Sequence, residues 1–213
     1  MSTPEELEKE IEDKKRELKN AKIDAYVTSD FKYVGCDPDT RKAAYAVLDK
    51  YGNLVEAWTI SAKNIVHSAL VHGTEPKRTV DPNSKYVISV ESQQYYATDD
   101  PRKVKSLLVL GRACGISMTY LSRMYSNYED LDLLLPRTWT KGRPKKVNQF
   151  WTISNMGMKS IDKGTYCCAE ELLPKHSATE QKHLIDAIAI ANHARKEHQK
   201  LMKTSAFRKG LKL

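Results

Sequence analysis

Three segments with the residue pattern of β-strands follow one another closely along the chain. They are Lys32–Asp37 (KYVGCD), Ala43–Asp49 (AAYAVLD) and Leu54–Ile60 (LVEAWTI). Residues 51–53 (YGN) supply turn chemistry between the second and the third segment. Three consecutive strands on short links favour an antiparallel meander, and this pattern restricts the fold more than any other feature of the sequence.

The rest of the chain predicts helices and two further strands. Tyr86–Val90 (YVISV) is an apolar run typical of a buried strand, where we expect the sheet to become parallel. Leu131–Leu135 predicts the fifth strand. Helices are predicted over residues 61–70, 101–124, 146–156 and, after an S-x-x-E capping box at 177–180, as far as 202. In the long second helix, Gly111 and Gly115 are expected to allow close approach to the sheet.

The pattern predicts one α/β domain over residues 31–203, with a mixed five-stranded sheet flanked by helices. Residues 1–30 are expected to form a helical extension, because a T-x-x-E box opens an amphipathic segment over residues 3–21. Its thin apolar stripe is consistent with packing on the domain or on a second subunit. It is equally consistent with a solvated helix that lies on the domain surface. Residues 204–213 form a basic C-terminal tail.

Basic residues are in excess in this chain. Lys and Arg number 35 against 27 Asp and Glu among 213 residues, giving a net charge of +8. This balance favours a polyanionic partner over an acidic metabolite.

The sequence also bears on the compartment. No stretch approaches the roughly 18 apolar residues of a membrane span, and the N-terminus lacks a signal-peptide core, so we expect a cytoplasmic protein with no membrane partner. The four cysteines form no C-x-x-C pair and are expected to be reduced packing residues.

Two carboxylates stand where predicted strands end. Asp37 closes the first strand in VGCDPDT, and Glu91 closes the parallel strand in VISVESQ. If these strands are neighbours, the two acids emerge at the same level of the sheet and repel each other unless a cation lies between them. A divalent metal ion would relieve that repulsion. Each acid taken singly is also consistent with an ordinary turn residue, and Asp39 or Asp49 could be mistaken for the ligand.

The final helix supplies the other candidate ligands. His183 and Asp186 stand three residues apart and share a helix face, with Cβ atoms about 5 to 6 Å apart. The apolar run after Asp186 predicts burial of this helix against the sheet. Three carboxylates and an imidazole suit Mg²⁺ or Mn²⁺, with His183 able to ligate or to act on a water. A surface His–Asp pair is the alternative.

Three segments resemble the RuvC-type Holliday junction resolvases of the ribonuclease H-like superfamily. VGCDPDTRKAAYAVLD (34–49) resembles their opening strand and hairpin, YVISVESQQYY (86–96) their glutamate strand, and HLIDAIAIANHA (183–194) their closing acid-bearing helix. The resemblance implies a ribonuclease H-like fold in which Asp37, Glu91, His183 and Asp186 are the metal-binding and catalytic set. It further implies a homodimer that depends on Mg²⁺, with Mn²⁺ able to substitute and two ions in each site.

Two further features bear on the resemblance: the segment PRTWTKG and the position of the aromatic residues after Glu91. The segment PRTWTKG, within a divergent middle region, looks more like a phage or viral relative, which would place the protein in a host cell. The family usually carries its junction-opening aromatic residue about three positions beyond the glutamate. Here Tyr95 and Tyr96 lie four and five positions beyond Glu91, and both are candidates for insertion at the crossover of a junction.

A basic segment follows the predicted fifth strand. Residues 137–146 (RTWTKGRPKK) contain five basic residues, one Trp and no acid. This composition suits contacts to phosphates, although basic loops are often only soluble loops. The candidate DNA-binding residues are Lys141, Arg143, Lys145 and Lys146. Trp139 is interpreted as a packing residue rather than a base-stacking one.

These observations predict a structure-specific endonuclease that cleaves four-way junctions or other branched DNA by metal-dependent hydrolysis. Two alternatives stay open. One is a ribonuclease H-like nuclease with another substrate, such as an RNA–DNA hybrid or a flap. The other is a junction-binding architectural protein that does not cleave.

Overall fold

The computed structural model of the protein describes residues 10–14, 17, 29–65, 80–92, 101–155, 160–162, 165–166 and 177–207. Its strands are β1 (Asp30–Asp37), β2 (Lys42–Asp49), β3 (Leu54–Ser61), β4 (Ser84–Glu91), β5 (Tyr128–Leu134), β6 (Ser160–Asp162) and β7 (Thr165–Tyr166). Its helices are α1 (Pro101–Met124), α2 (Pro136–Thr140), α3 (Lys145–Asn155) and α4 (Ala178–Phe207).

Five strands form one mixed sheet in the order β3-β2-β1-β4-β5. The first three strands pair antiparallel, β2 with β1 and with β3. Strand β4 lies parallel to β1 on its other side, and β5 continues in parallel beside β4. The predicted architecture is therefore confirmed: an antiparallel meander that turns parallel at the fourth strand. Strands β6 and β7 form a separate small hairpin, which the sequence did not predict.

The two faces of the sheet carry separate cores, because successive strand residues point to opposite sides. Val34 and Cys36 of β1 belong to the core that includes Tyr120 and Leu121 of α1. Phe31 and Tyr33 belong to the core on the other face, which includes the α4 residues Leu184, Ala187 and Ile188. The odd-numbered residues of β1 consequently face α4.

A glycine in the central strand sets how closely α4 approaches the sheet. A Cβ atom added at Gly35 would collide with the carbonyl oxygen of Ala187 and lie 2.5 Å from the backbone nitrogen of Ala191. Only a residue without a side chain allows this contact between strand and helix backbones. The prediction that Gly111 and Gly115 provide close approach was wrong, since an added Cβ at either meets nothing within 4 Å.

The bounds of the other helices and strands agree with the sequence prediction to different degrees. Helix α1 has the predicted bounds, whereas β5 begins at Tyr128 rather than Leu131. The basic connection after Leu135 contains the short helix α2. The predicted helices over 3–21 and 61–70 are helical at residues 10–14, 17 and 62–65, and their other residues lie outside the described part of the chain.

The capping box of the last helix forms as predicted. The backbone nitrogen of Ser177 donates to Oε2 of Glu180 at 2.8 Å, and the backbone nitrogen of Glu180 donates to the Ser177 hydroxyl at 3.4 Å. Lys42 of β2 forms an ion pair with the same glutamate, which ties the start of α4 to the sheet. Among the helices that the structure describes, none has the length and hydrophobicity to cross a membrane.

Candidate functional site

The two strand-terminal acids lie side by side on the face covered by α4. Parallel pairing joins Gly35 to Ser89 and Cys36 to Val90, so Asp37 and Glu91 are the next residues along the two neighbouring strands. Asp37 is two residues beyond Gly35, and Glu91 is two residues beyond Ser89, the partner of Gly35. Both side chains therefore point to the same face as the Cα of Gly35, which is the face against α4. Asp37 is buried and Glu91 half-buried. The carboxyl ends of β1 and β4 thus bring both acids to one edge of the sheet.

Asp186 reaches this region from the helix. It is fully buried in α4, between Ile185 and Ala187 of the core. Gln149 of α3 donates a hydrogen bond to its Oδ1 at 3.0 Å, and the ammonium nitrogen of Lys145 lies 2.6 Å from its Oδ2. An acid buried so completely needs such partners, because desolvating an unpaired carboxylate is costly.

His183 lies one turn earlier on α4 and contacts the strand directly. Its Nδ1 lies 2.7 Å from Oδ2 of Asp37. The contact joins residues 146 positions apart and holds the imidazole in one orientation. The structure therefore brings His183 to Asp37, whereas a surface pair of His183 with Asp186 was the alternative from sequence.

Burial, together with neighbouring charge, raises the pKa values of Glu91 and Asp186. Burial, the charge of Asp37 and a hydrogen bond with that residue raise the pKa of Glu91 to about 9, with a further contribution from Asp186. Burial also raises the pKa of Asp186 above its ordinary value, although Lys145 and Gln149 act in the opposite direction. Desolvation by burial is the largest cause in both cases, and the neighbouring negative charge adds to it.

The pKa values of the two basic groups are raised as well, which in a base favours the charged form. The hydrogen bond to Asp37 raises the pKa of His183 above its ordinary value, against the effect of burial. Burial would lower the pKa of Lys145, but the charge and the hydrogen bond of Asp186 raise it overall. Lys145 and His183 therefore act as the counter-charges of the acids in this arrangement.

The donor set fits a divalent metal ion in its chemistry, and its present arrangement does not yet form a closed coordination shell. Carboxylate oxygens and an imidazole nitrogen are ligands that Mg²⁺ and Mn²⁺ accept. Within the described ranges, no three His, Cys, Asp or Glu side chains stand close enough together to hold a metal ion. Asp37 is directed to His183 and Asp186 to Lys145. Metal binding would require the Lys145–Asp186 contact to loosen and would use the Asp37 oxygen that does not contact His183.

The basic segment is divided between the site and the solvent. Lys145 contacts Asp186, while Lys141, Arg143 and Lys146 are exposed. Trp139 is buried, as expected of a packing residue. Tyr95 and Tyr96 lie outside the described residues.

Gln149 was missed by sequence reasoning. It stands four residues after Lys145 on α3, and residues at that spacing share a helix face. Helical spacing alone could have grouped the two residues, but it gave no reason to place them against Asp186 of another helix.

Comparisons with known proteins give structural neighbours only. Neither the protein-family models nor the curated proteins contain a match. RuvC of Thermus thermophilus in complex with a Holliday junction substrate is 15% identical, with a TM-score of 0.44 over 84% of this chain and 96% of that one. A second Thermus thermophilus RuvC structure has a TM-score of 0.41 at the same identity and coverage. By its own strand order and directions, the fold is ribonuclease H-like.

Proposed function

We propose that this protein is a metal-dependent endonuclease that cleaves branched DNA, with four-way junctions as its substrate. One observation carries the proposal: Asp37 and Glu91 end neighbouring parallel strands on the sheet face that α4 covers, and Asp186 is buried in α4 on that same side. Burial raises the pKa of Glu91 to about 9, and the charges of Asp37 and Asp186 add to the shift. A buried acidic cluster of this kind is unfavourable unless cations are bound, and perturbed carboxylates are typical of functional sites. The sequence resemblance to RuvC-type resolvases supplies the substrate class.

In this proposal Asp37, Glu91 and Asp186 would hold two Mg²⁺ ions, which Mn²⁺ could replace. The bound metal supplies charge neutralisation at the phosphate and a more acidic water. Glu91 must lose its proton to bind, so the site exchanges a proton for a cation. Asp37 fixes the imidazole through Nδ1, which leaves Nε2 of His183 to exchange a proton with the attacking water or the leaving oxygen.

The DNA strand approaches over the exposed basic segment in this proposal. Lys141, Arg143 and Lys146 would contact backbone phosphates. Lys145, once released from Asp186, would be free to contact a phosphate as well. Tyr95 and Tyr96 remain the proposed aromatic residues that open the crossover. Two subunits would place two such sites for symmetric nicks across one junction.

A junction-binding protein without cleavage activity is the second candidate. The observation that favours it is the pairing of Asp186 with Lys145 and of Asp37 with His183. Charges that are already compensated within the protein have less need of a metal ion. In that case the acids would stabilise the fold and the basic segment alone would bind DNA.

A cleavage assay separates these functions. A synthetic four-way junction, labelled on each strand in turn, is incubated with the protein in Mg²⁺, in Mn²⁺ and in EDTA. Symmetric nicks that need the metal support the proposal. Preference for linear duplex, flap or RNA–DNA hybrid under the same conditions would assign another nuclease activity, and tight junction binding without any cleavage would establish the architectural protein.

A further inference from the structure

A cavity lies between the α2–α3 connection, α3 and the middle of α4. Its volume is about 80 Å³, room for several waters, since one water needs roughly 10–15 Å³. The residues that line it include Lys141, Arg143, Asn148, Trp151, His193 and Lys196, together with Trp139. None of these is among the four candidate metal ligands.

Two of the residues that line this cavity carry buried donors without an acceptor. The indole Nε1 of Trp139 and the amide Nδ2 of Asn148 are buried and have no hydrogen-bond partner in the described part of the chain. Both residues are more than nine-tenths buried. An indole N–H and an amide NH₂ can only donate, so a ligand that satisfies them must present acceptor oxygens. Leaving such groups unpaired is costly, which makes an oxygen-rich ligand favourable here.

Positive charge surrounds the same space. Lys141, Arg143 and Lys196 line the cavity with a single acid, Glu197. Burial and the neighbouring cations Arg195, Lys141 and Arg143 lower the pKa of Lys196, which shows that these charges repel one another. Burial likewise lowers the pKa of His193. An anion in the cavity would relieve the repulsion between the cations.

An aromatic ring forms part of the wall. Trp151 is 49% exposed, and the guanidinium carbon of Arg143 lies 5.6 Å from its ring centroid. A half-exposed indole with an arginine over it offers a flat surface for a nucleobase next to the cationic group. A ligand with oxygen acceptors, negative charge and an aromatic base would match the donors, the cations and the indole of the cavity. A nucleotide has all three features.

We propose that this cavity binds a phosphate group, and that its ligand is one backbone phosphate of a nucleic-acid strand. The phosphate-binding part stands on the cavity alone, whereas the assignment to a nucleic-acid backbone rests on the proposed function. His193 is seven residues beyond Asp186 on α4, about 10 Å at 1.5 Å per residue. At about 3.4 Å of rise per nucleotide in one strand, the bound phosphate lies about three nucleotides from the cleaved bond.

Oligonucleotide binding tests the phosphate site without requiring cleavage. Affinity is measured for a short single-stranded DNA with and without a 5′-phosphate, and for inorganic phosphate, with the wild-type protein, Lys196→Gln and Lys203→Gln. Lys203 is exposed on the same helix and does not line the cavity, so it is the matched control. We expect Lys196→Gln to weaken binding of the phosphorylated DNA about tenfold, the loss of one hydrogen bond to a charged group, and Lys203→Gln to leave it unchanged.

Three results would overturn the proposal. Equal weakening by Lys196→Gln and Lys203→Gln would reduce the effect to general surface charge. Tight binding of inorganic phosphate that phosphorylated DNA cannot displace would assign the cavity to a free anion instead of a strand. Wild-type affinity of Lys196→Gln for every ligand would remove the site.

A phosphate scan gives the position of the contact. Single methylphosphonates, which lack the phosphate charge, are placed along one arm of a four-way junction, and binding is measured in Ca²⁺ or EDTA. The wild-type protein should lose affinity at one position about three nucleotides from the bond that it cleaves in Mg²⁺, and Lys196→Gln should be insensitive at that position. If the junction is bound with this position-dependent loss of affinity but is not cleaved, the phosphate site stands and the nuclease activity is rejected. If the junction is cleaved but no single position affects binding, the nuclease activity stands and the phosphate site is rejected.

Discussion

The ammonium nitrogen of Lys145 lies 2.6 Å from Oδ2 of Asp186, with the lysine side chain 60% exposed and the aspartate side chain 1% exposed. A solvent-facing cation thus reaches down to the most deeply buried acid of the candidate site. It stands where a divalent ion would neutralise the same oxygen. Lys145 therefore competes with metal for Asp186, and this competition can be measured.

Replacing Lys145 with Gln should strengthen metal binding and weaken DNA binding. Mn²⁺ affinity, measured by calorimetry, should rise because Asp186 loses its competing cation. The free energy of unfolding should also fall, because the buried Asp186 carboxylate loses the cation that pairs with it. Lys146→Gln is the matched control: Lys146 is exposed, so it should weaken DNA binding and leave Mn²⁺ affinity unchanged. Unchanged Mn²⁺ affinity in both variants would rule out the competition.

Asp37→Asn should abolish junction cleavage while junction affinity stays within a few fold of the wild-type value. The amide keeps an acceptor oxygen for Nδ1 of His183, but it loses the negative charge that holds a cation. Cleavage and binding are measured on the same labelled junction. Asp39→Asn is the control, because the Asp39 carboxylate accepts a hydrogen bond from the backbone nitrogen of Thr40 at 2.6 Å on the exposed side. Full activity of Asp37→Asn would remove Asp37 from the site.

Metal binding at neutral pH should release about one proton, because Glu91, whose pKa is about 9, must ionise to coordinate a cation. Calorimetric titration with Mn²⁺ in buffers of different ionisation enthalpy measures this number. Glu91→Gln cannot release the proton and should lower the count accordingly. A proton count near zero for the wild-type protein would contradict either the protonated state of Glu91 or its role as a ligand.

The same group should make the metal-free protein less stable as the pH rises. The folded protein keeps a proton on Glu91 that the unfolded chain loses above its ordinary pKa of 4.5, so the free energy of unfolding falls between about pH 4.5 and 9. His183 acts in the same direction, since its raised pKa gives stability that is present below pH 6.5 and lost above the folded-state value. Denaturation of wild-type protein and Glu91→Gln in EDTA isolates the contribution of Glu91: the difference between them should grow with pH in favour of Glu91→Gln.

Much of this site follows from the sequence because strand geometry is regular. Once β1 and β4 are neighbours, the period of two places Asp37 and Glu91 on one face. The edge strand was harder to delimit, since Glu129, Asp130 and Asp132 of β5 interrupt its apolar pattern, as charges on edge strands often do.

The partners of the acids could not be derived in the same way. Lys145 and Asp186 lie on different helices, 41 positions apart, and only the packing of α3 against α4 brings them together. The phosphate cavity is a product of that same packing. No local period of the sequence encodes either feature, whereas the capping box of α4 needs only neighbouring residues and was predicted.

The strand glycine gives the sharpest test of how the fold positions the site. Gly35→Ala places a Cβ against the backbone of α4 at Ala187 and Ala191, and backbone atoms cannot move aside without shifting the whole helix. We expect the free energy of unfolding to fall by about 1–3 kcal/mol or more, as for other overpacked cores.

Because α4 carries both His183 and Asp186, any Gly35→Ala protein that folds should also bind Mn²⁺ more weakly. Gly115→Ala adds the same methyl group to the exposed face of α1, where nothing lies within 4 Å, and should stabilise the protein by up to about 1 kcal/mol through helix propensity. Chemical denaturation of the two variants compares them directly. Equal stability of the two variants would show that α4 does not need its close approach to β1. That result would contradict the conclusion that the contact between Gly35 and α4 positions the acids of the site.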